Sequence, residues 1–452
     1  MRPAVSAAEL LLAELPPAAV RPAGAATEPL KAEPATAFWC SARDGAPGAD
    51  AAGGEDVLLP PAHAVRSRQP AIRMTAPKAL RRTRTVRVMH VGRRRRAGGS
   101  GPPDNVSGTS PRPAIIGAVT FPKIELHVHL EGTVRAGTLL QIARRNDVPL
   151  PAATEADLVQ LYEFTDFAHF LRVWQLTTGA LRRDRDFRQV LVDYAGEAAS
   201  HGAVYLEGII APADHVARGA GWDEVYSGYC DGVQEALELH GVQVRLTPDV
   251  NRSYPVEAAE LTARYAVAYA HRGVVGLGLG GREAEYPPEL FARAFAMARD
   301  GGLGSVPHAG EAAGVPSIRG ALDALGAVRL RHGVRAVEDQ ALVRELADRG
   351  IVLDVCPISN LRTHVVPSLA EHPLPALVAA GVRCSVSTDD PAMFGTDLSA
   401  DYAAAAQLGV GPRQCYEAGA RGALCDESTR SSLQRIGAEF DWTRTLLTNE
   451  AV

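Results

Sequence analysis

Pro122-Lys123-Ile124-Glu125-Leu126-His127-Val128-His129-Leu130-Glu131-Gly132-Thr133 is the stretch on which the reading of this chain turns. Its apolar, β-branched first half has strand character. His127 and His129 stand two residues apart, so they share one face of that strand, because side chains alternate with period two. An acidic residue and a Gly turn follow. Two imidazoles side by side at a strand end make half of a metal site, although a His-x-His pair alone also suits a solvated or merely packed pair. Three later stretches supply the other half: His308-Ala309-Gly310-Glu311, Arg331-His332-Gly333 and Ser387-Thr388-Asp389-Asp390-Pro391. Each closes a short apolar run that reads as a strand, and together the four clusters point to a metal-dependent hydrolase.

Working outward, short β-branched runs alternate with longer amphipathic ones from residue 119 onward, the pattern of βα repeats. Eight strands are expected, near Ile124–His129, Val204–Gly208, Val242–Pro248, Val274–Leu279, Ser305–His308, Val328–His332, Ile351–Val355 and Cys384–Thr388. This α/β pattern predicts a (β/α)8 TIM barrel over residues 119–445. In that fold, functional groups stand at the C-terminal ends of the strands. The four clusters fall at the ends of strands 1, 5, 6 and 8, which barrel closure brings to one mouth. The long gap between strands 1 and 2 predicts extra helices. Phe164, Phe167, Phe170 and Trp174 line one helix face there, suited either to core packing or to a lid over an apolar ligand.

Residues 1–118 differ from this body. They are rich in Ala, Pro, Gly and Arg and hold 17 Lys and Arg against 9 Asp and Glu, within a 452-residue chain of net charge −5. Such composition buries too little apolar surface to fold, so a disordered extension is expected. Its Arg-rich part, Arg81 to Arg96, suits a polyanion, but the acidic body gives no sign of nucleic-acid binding. No secretory signal and no run of roughly 18 apolar residues is apparent, so no membrane partner is expected. Six scattered cysteines without Cys-x-x-Cys spacing argue against a disulfide scaffold or a thiolate zinc site, and cytoplasm is the default. His201, His240 and His271 end predicted helices before Gly, and His215, His364 and His372 lack acidic clusters; all six are assigned to the surface. The oligomeric state is left open.

His127, His129 and His308 offer three neutral nitrogens and Asp389 one oxygen, a set that suits Zn²⁺ better than Mg²⁺ or Ca²⁺. Such an ion generates a nucleophile from water at neutral pH. Glu311 is not needed as a ligand and is placed to carry a proton to a substrate nitrogen. His332 and Asp390 remain to hold the attacking oxygen and take its proton. The chain has only three lysines, Lys31, Lys78 and Lys123, and none lies on a middle strand, which excludes a two-metal centre bridged by a carbamylated lysine. The His-x-Glu and Pro-Cys-x-x-Cys zinc site of cytidine deaminases is absent as well.

In motif order and content, residues 119 to about 440 resemble the adenosine deaminase family of zinc-dependent purine deaminases. The resemblance implies that His127, His129, His308 and Asp389 bind one Zn²⁺ and that Glu311 gives a proton to purine N1. It implies further that His332 orients and deprotonates the attacking hydroxide, that Asp390 hydrogen-bonds N7, and that the Gly281 N–H meets N3. Two departures concern the sugar end. Glu131 stands where Asp commonly contacts the ribose 5′-hydroxyl, and Gly278-Leu279-Gly280-Gly281-Arg282-Glu283 replaces Asp-Leu-Ala-Gly-x-Glu. These changes resemble a bacterial branch that deaminates 6-aminodeoxyfutalosine, an adenosine analogue carrying a 5′ benzoate, on a route to menaquinone. The expected function is therefore hydrolytic deamination at C6 of a small-molecule purine nucleoside, with 6-aminodeoxyfutalosine first, adenosine or 2′-deoxyadenosine next and adenine third. A non-enzymatic binding barrel would need a lost ligand or proton donor, and none is lost. Arg362, after strand 7, is either a solvated loop arginine or the cation for a 5′ carboxylate.

Overall fold

A computed structural model of the chain describes residues 121–443 and 445, apart from 153 and 163–166, with the side chains at 161, 167–172 and 175 also outside it. The extension expected over 1–118, with its Arg-rich stretch, lies outside the described residues, as does Phe164.

The strands are β1 (Lys123–His129), β2 (Ala203–Ile210), β3 (Gln243–Asn251), β4 (Gly276–Gly280), β5 (Gly304–Ser305), β6 (His308–Ala309), β7 (Arg329–His332), β8 (Val352–Val355) and β9 (Arg383–Val386). Every pairing is parallel, in the order β1 to β5 and then β6 to β9. β5 and β6 are two halves of the expected fifth strand, interrupted at Val306-Pro307, where proline has no N–H to give a ladder. Both neighbours stay stitched across the break: the Val306 N–H donates to the Leu277 carbonyl at 2.9 Å and the Arg331 N–H to the Pro307 carbonyl at 3.0 Å. The ring closes where the Asp389 N–H donates to the His127 carbonyl at 3.0 Å and the His129 N–H to the Asp389 carbonyl at 2.8 Å. The barrel is thus a TIM barrel, and its closure alone puts Asp389 beside both histidines of β1.

One apolar core fills the space between the strands and the surrounding helices, with Leu206, Leu246, Leu277, Leu330 and Leu353 from the strands among its fully buried members. The barrel interior is not uniformly aliphatic. Buried Arg329 pairs with Glu207 and Asp354 at 2.6 Å each, and buried Arg331 pairs with Asp249 and donates to Thr247 Oγ1 at 2.7 Å. Gly278 makes the second pair possible, because a Cβ there would fall inside both the Asp249 carboxylate and the Arg331 guanidinium. The gap between β1 and β2 is helical, as expected, over Ala136–Arg145, Glu155–Leu161, Phe167–Ala180 and Asp184–Ser200. Among the described residues no helix is long and apolar enough to cross a membrane.

Candidate active site

β1 delivers its two histidines through a local irregularity. Consecutive amides of Leu126 and His127 both donate to Ser387 Oγ, at 3.0 and 3.1 Å, where the register with β2 shifts. His308 Nε2 lies 3.1 Å from His127 Nε2 and 3.2 Å from His129 Nε2, and Asp389 Oδ1 lies 3.2 and 3.3 Å from the same two β1 nitrogens. These four spacings link the atoms in a closed ring, each near the separation expected of two ligands about 2.0 Å from one ion, the usual zinc–ligand distance.

The tautomers sharpen the point. His308 Nδ1 faces the Leu279 carbonyl at 3.0 Å, and His127 Nδ1 faces the Asp354 carbonyl at 3.3 Å, so the hydrogen of each ring belongs on Nδ1. Two Nε2 lone pairs then face each other at 3.1 Å, an arrangement that repels unless a cation sits between them. Burial holds all three rings neutral: His127 and His308 are pushed well below the usual histidine range, and His129 to about 3. Asp389 Oδ1, fully buried, accepts no hydrogen bond. The donor set therefore fits a divalent transition metal. Cys356 Sγ is 3.5 Å from His127 Nδ1, behind the ring, and is no ligand to this cluster.

Supports behind the ligands were not foreseen from the sequence. Asp249 Oδ2 sits 3.3 Å from His308 Nδ1 while the same carboxylate holds Arg331, so ligand orientation is tied to the barrel's buried charges. Ser359 Oγ donates to Asp389 Oδ2 at 2.6 Å. Two of the few non-glycine residues with left-handed backbone are His332 (φ 61°) and Asp389 (φ 66°). At His332 the turn overrides strand alternation, so buried Arg331 and His332 both serve the interior although they are adjacent.

Glu311 faces the same centre, and Asp390 lies near enough for its charge to act on Glu311. Glu311 Oε2 is 3.4 Å from His332 Nε2, and Asp389 Oδ2 is 3.8 Å from it. Glu311 Oε1 and Asp390 Oδ1 are buried and accept no hydrogen bond. Burial first, then the neighbouring carboxylates, raises both acids well above the usual carboxylate range. The Glu311 loop is fixed by Glu283, whose carboxylate accepts from the amides of Gly310, Glu311, Ala312 and Ala313, all within 3.1 Å. Gly132 lies against Asp390 so closely that any Cβ would overlap the carboxylate. Gly132→Ala is therefore expected to leave metal content unchanged while lowering kcat/KM by roughly tenfold or more, about 1.4 kcal/mol of transition-state binding. Steady-state kinetics with metal analysis checks this.

The sequence assigned Glu131 to the substrate. Glu131 Oε1 is occupied by the Ala211 N–H at 3.0 Å, His215 Nε2 at 2.9 Å and the Tyr229 hydroxyl at 3.0 Å, while buried Oε2 accepts none. Gly281 follows β4 at φ +100°, a conformation that suits glycine. Two surface assignments are corrected. His215 is buried against Glu131 and Phe187, and His372 is buried against Asn360. His215 meets its carboxylate across 84 residues, and His372 is held by an amide side chain and a backbone N–H, so no acidic cluster marked either. Trp174 lies edge-on to His129, with ring centroids 6.4 Å apart, in an apolar cluster with Val173, Met393 and Phe394. The helix Phe167–Ala180 thus borders the metal cluster. Arg362 is exposed at the end of the helix Pro357–Arg362.

Comparison with known proteins places the chain among its relatives. A relative from Acidothermus cellulolyticus, described as aminodeoxyfutalosine deaminase, is 53% identical over 334 residues, covering 72% of this chain and 94% of its own. The solved structure of an adenine deaminase from Arthrobacter aurescens matches with TM-score 0.67 and 30% identity, covering 70% of this chain and 98% of that one. A Burkholderia ambifaria amidohydrolase solved with bound Zn matches with TM-score 0.66 and 26% identity, over 74% and 93% of the two chains. With the adenosine deaminase family model matching residues 122–436, the chain belongs to the adenosine deaminase family.

Proposed function

We propose that this hydrolase deaminates C6 of a 6-aminopurine nucleoside with one Zn²⁺ per chain, and that its substrate is 6-aminodeoxyfutalosine. The observation that carries the reaction is the pair of buried acids, Glu311 and Asp390, each with one buried oxygen that accepts no hydrogen bond, beside the His3Asp cluster. A purine ring offers N1 and N7 as acceptors, and only a protonated carboxyl can donate to them. Burial and neighbouring negative charge favour the protonated form of both acids. His127, His129, His308 and Asp389 would hold the ion, which supplies a nucleophile from water at neutral pH. Glu311 gives its proton to N1 as C6 becomes tetrahedral, Asp390 holds N7, and His332 orients the attacking oxygen. The Gly281 amide meets N3, and the buried Oε2 of Glu131, which accepts no hydrogen bond within the protein, serves the sugar end.

The substrate choice is supported by the Acidothermus relative, which matches across nearly its whole length. Adenine and adenosine are the alternatives, adenine being what the name of the Arthrobacter neighbour points to. The described cysteines, Cys230, Cys356, Cys384, Cys415 and Cys425, are free thiols, in keeping with a reducing cytoplasm. Loss of 6-aminopurine absorbance decides among the substrates. 6-Aminodeoxyfutalosine is expected to exceed adenosine and adenine by at least tenfold in kcat/KM, and a higher value for either alternative would overturn the substrate assignment.

A further inference from the structure

We infer that His372 and Asn360 fix which nitrogen of His332 carries hydrogen, so that His332 meets the attacking oxygen as a hydrogen-bond donor rather than as the group that takes its proton. The argument starts from a backbone amide. The Leu374 N–H, which can only donate, points at His372 Nδ1 at 3.0 Å. That nitrogen must therefore be the acceptor, and a neutral ring then carries its one hydrogen on Nε2. His372 is buried, and burial lowers it to about 4, so the ring is neutral at physiological pH. Its Nε2 lies 3.1 Å from Asn360 Oδ1. Asn360 is fully buried, and turning its amide over would set an NH2 against an N–H, leaving two donors face to face. Its orientation is thus set by the network, with Oδ1 toward His372 and Nδ2 toward His332 Nδ1 at 3.2 Å.

His332 Nδ1 accepts at the end of this chain, so the ring's hydrogen belongs on Nε2. That is the nitrogen 3.4 Å from Glu311 and 3.8 Å from Asp389, facing the reacting centre. A base would need a lone pair there, the opposite tautomer. The one-way sequence from the Leu374 amide through His372 and Asn360 makes the donor form the relaxed one, and reversing it would strand buried donors. The hydrogen bond moves no proton; it orients an attacking oxygen whose proton would already have been lost to solvent at neutral pH with the ion's help. The catalytic consequence rests on the deaminase reading, whereas the tautomer does not.

Histidine-labelled holoenzyme examined by long-range 1H–15N correlation reports the tautomer directly, with His332 assigned by comparison with His332→Gln. The expected spectrum has a protonated Nε2 and a bare Nδ1; the reverse assignment would overturn the inference. A kinetic arm needs no spectrum. Asn360→Asp offers a carboxylate that accepts from Nδ1–H and so favours the base form. It should lower kcat on the order of 10²-fold with KM and zinc content nearly unchanged, whereas kcat kept or raised would make His332 the base. His372→Gln retains a donor toward Asn360 and should hold kcat near that of the parent, while His372→Leu should lose it. Equal losses in both would reduce His372 to packing and overturn its part. If the enzyme deaminates no 6-aminopurine, the functional reading fails and the nitrogen spectrum still decides the tautomer.

Discussion

Removing the divalent ion with a chelator is expected to abolish deamination, and zinc alone should restore it. The reason lies in the ligand cluster rather than in the family. His127 and His308 turn lone pairs toward each other at 3.1 Å, and the oxygen of Asp389 that faces His127 and His129 accepts no hydrogen bond. Without a cation the facing lone pairs repel, so the ion should also raise Tm, through its preferential binding to the folded state. His308→Ala and Asp389→Ala each delete one ligand of four and should reduce bound zinc, read by elemental analysis, with turnover falling in step. The two variants should differ in stability. His308→Ala takes away a partner of Asp249, whose carboxylate still has Arg331, whereas Asp389→Ala leaves the Ser359 hydroxyl without its buried acceptor. Full activity in a metal-free preparation would end the reading.

The convergence of His127, His129, His308 and Asp389 was legible in the sequence because their placement is local. Two histidines at spacing two share a strand face, and a histidine or aspartate closing an apolar run stands at a barrel mouth. The strand positions followed for the same reason, and only the fifth departed, where Pro307 breaks the ladder into β5 and β6. What stayed hidden is long-range. Glu283 holds the Glu311 loop from 28 residues away, and His215 meets Glu131 across 84. No periodicity marks a residue whose role depends on which distant carboxylate it will face. His372 was read as a surface residue because no acidic cluster stands near it, yet through the Asn360 amide its ring ends two hydrogen bonds from His332. Alternation failed at His332 too, since a left-handed backbone turns it inward beside an inward Arg331. The buried arginines were visible as letters but not as interior groups, since only a barrel that brings Glu207, Asp249 and Asp354 to meet them makes such burial tolerable.

Glu311→Gln is expected to lower kcat by about 10²–10⁴-fold while zinc content and binding of a ground-state purine analogue stay near those of the parent. The amide is nearly isosteric and can still donate a hydrogen bond, but it cannot release a proton to N1 as C6 becomes tetrahedral. The fold should tolerate the change, because the loop is held through backbone amides by Glu283 and not through the Glu311 side chain. The pH dependence follows from the sign of the shift. Glu311 is raised well above the usual carboxylate range by burial and by Asp389, Glu283 and Asp390, so the protonated, working form persists above the pH at which an ordinary glutamate ionises. Activity that depends on it is fully present below its pKa and is lost as pH rises through it. The alkaline limb of kcat in the parent enzyme should therefore carry this group, and Glu311→Gln should flatten that limb in its residual activity. A loss under tenfold, or an alkaline limb unchanged by the substitution, would take the proton donor's role away from Glu311.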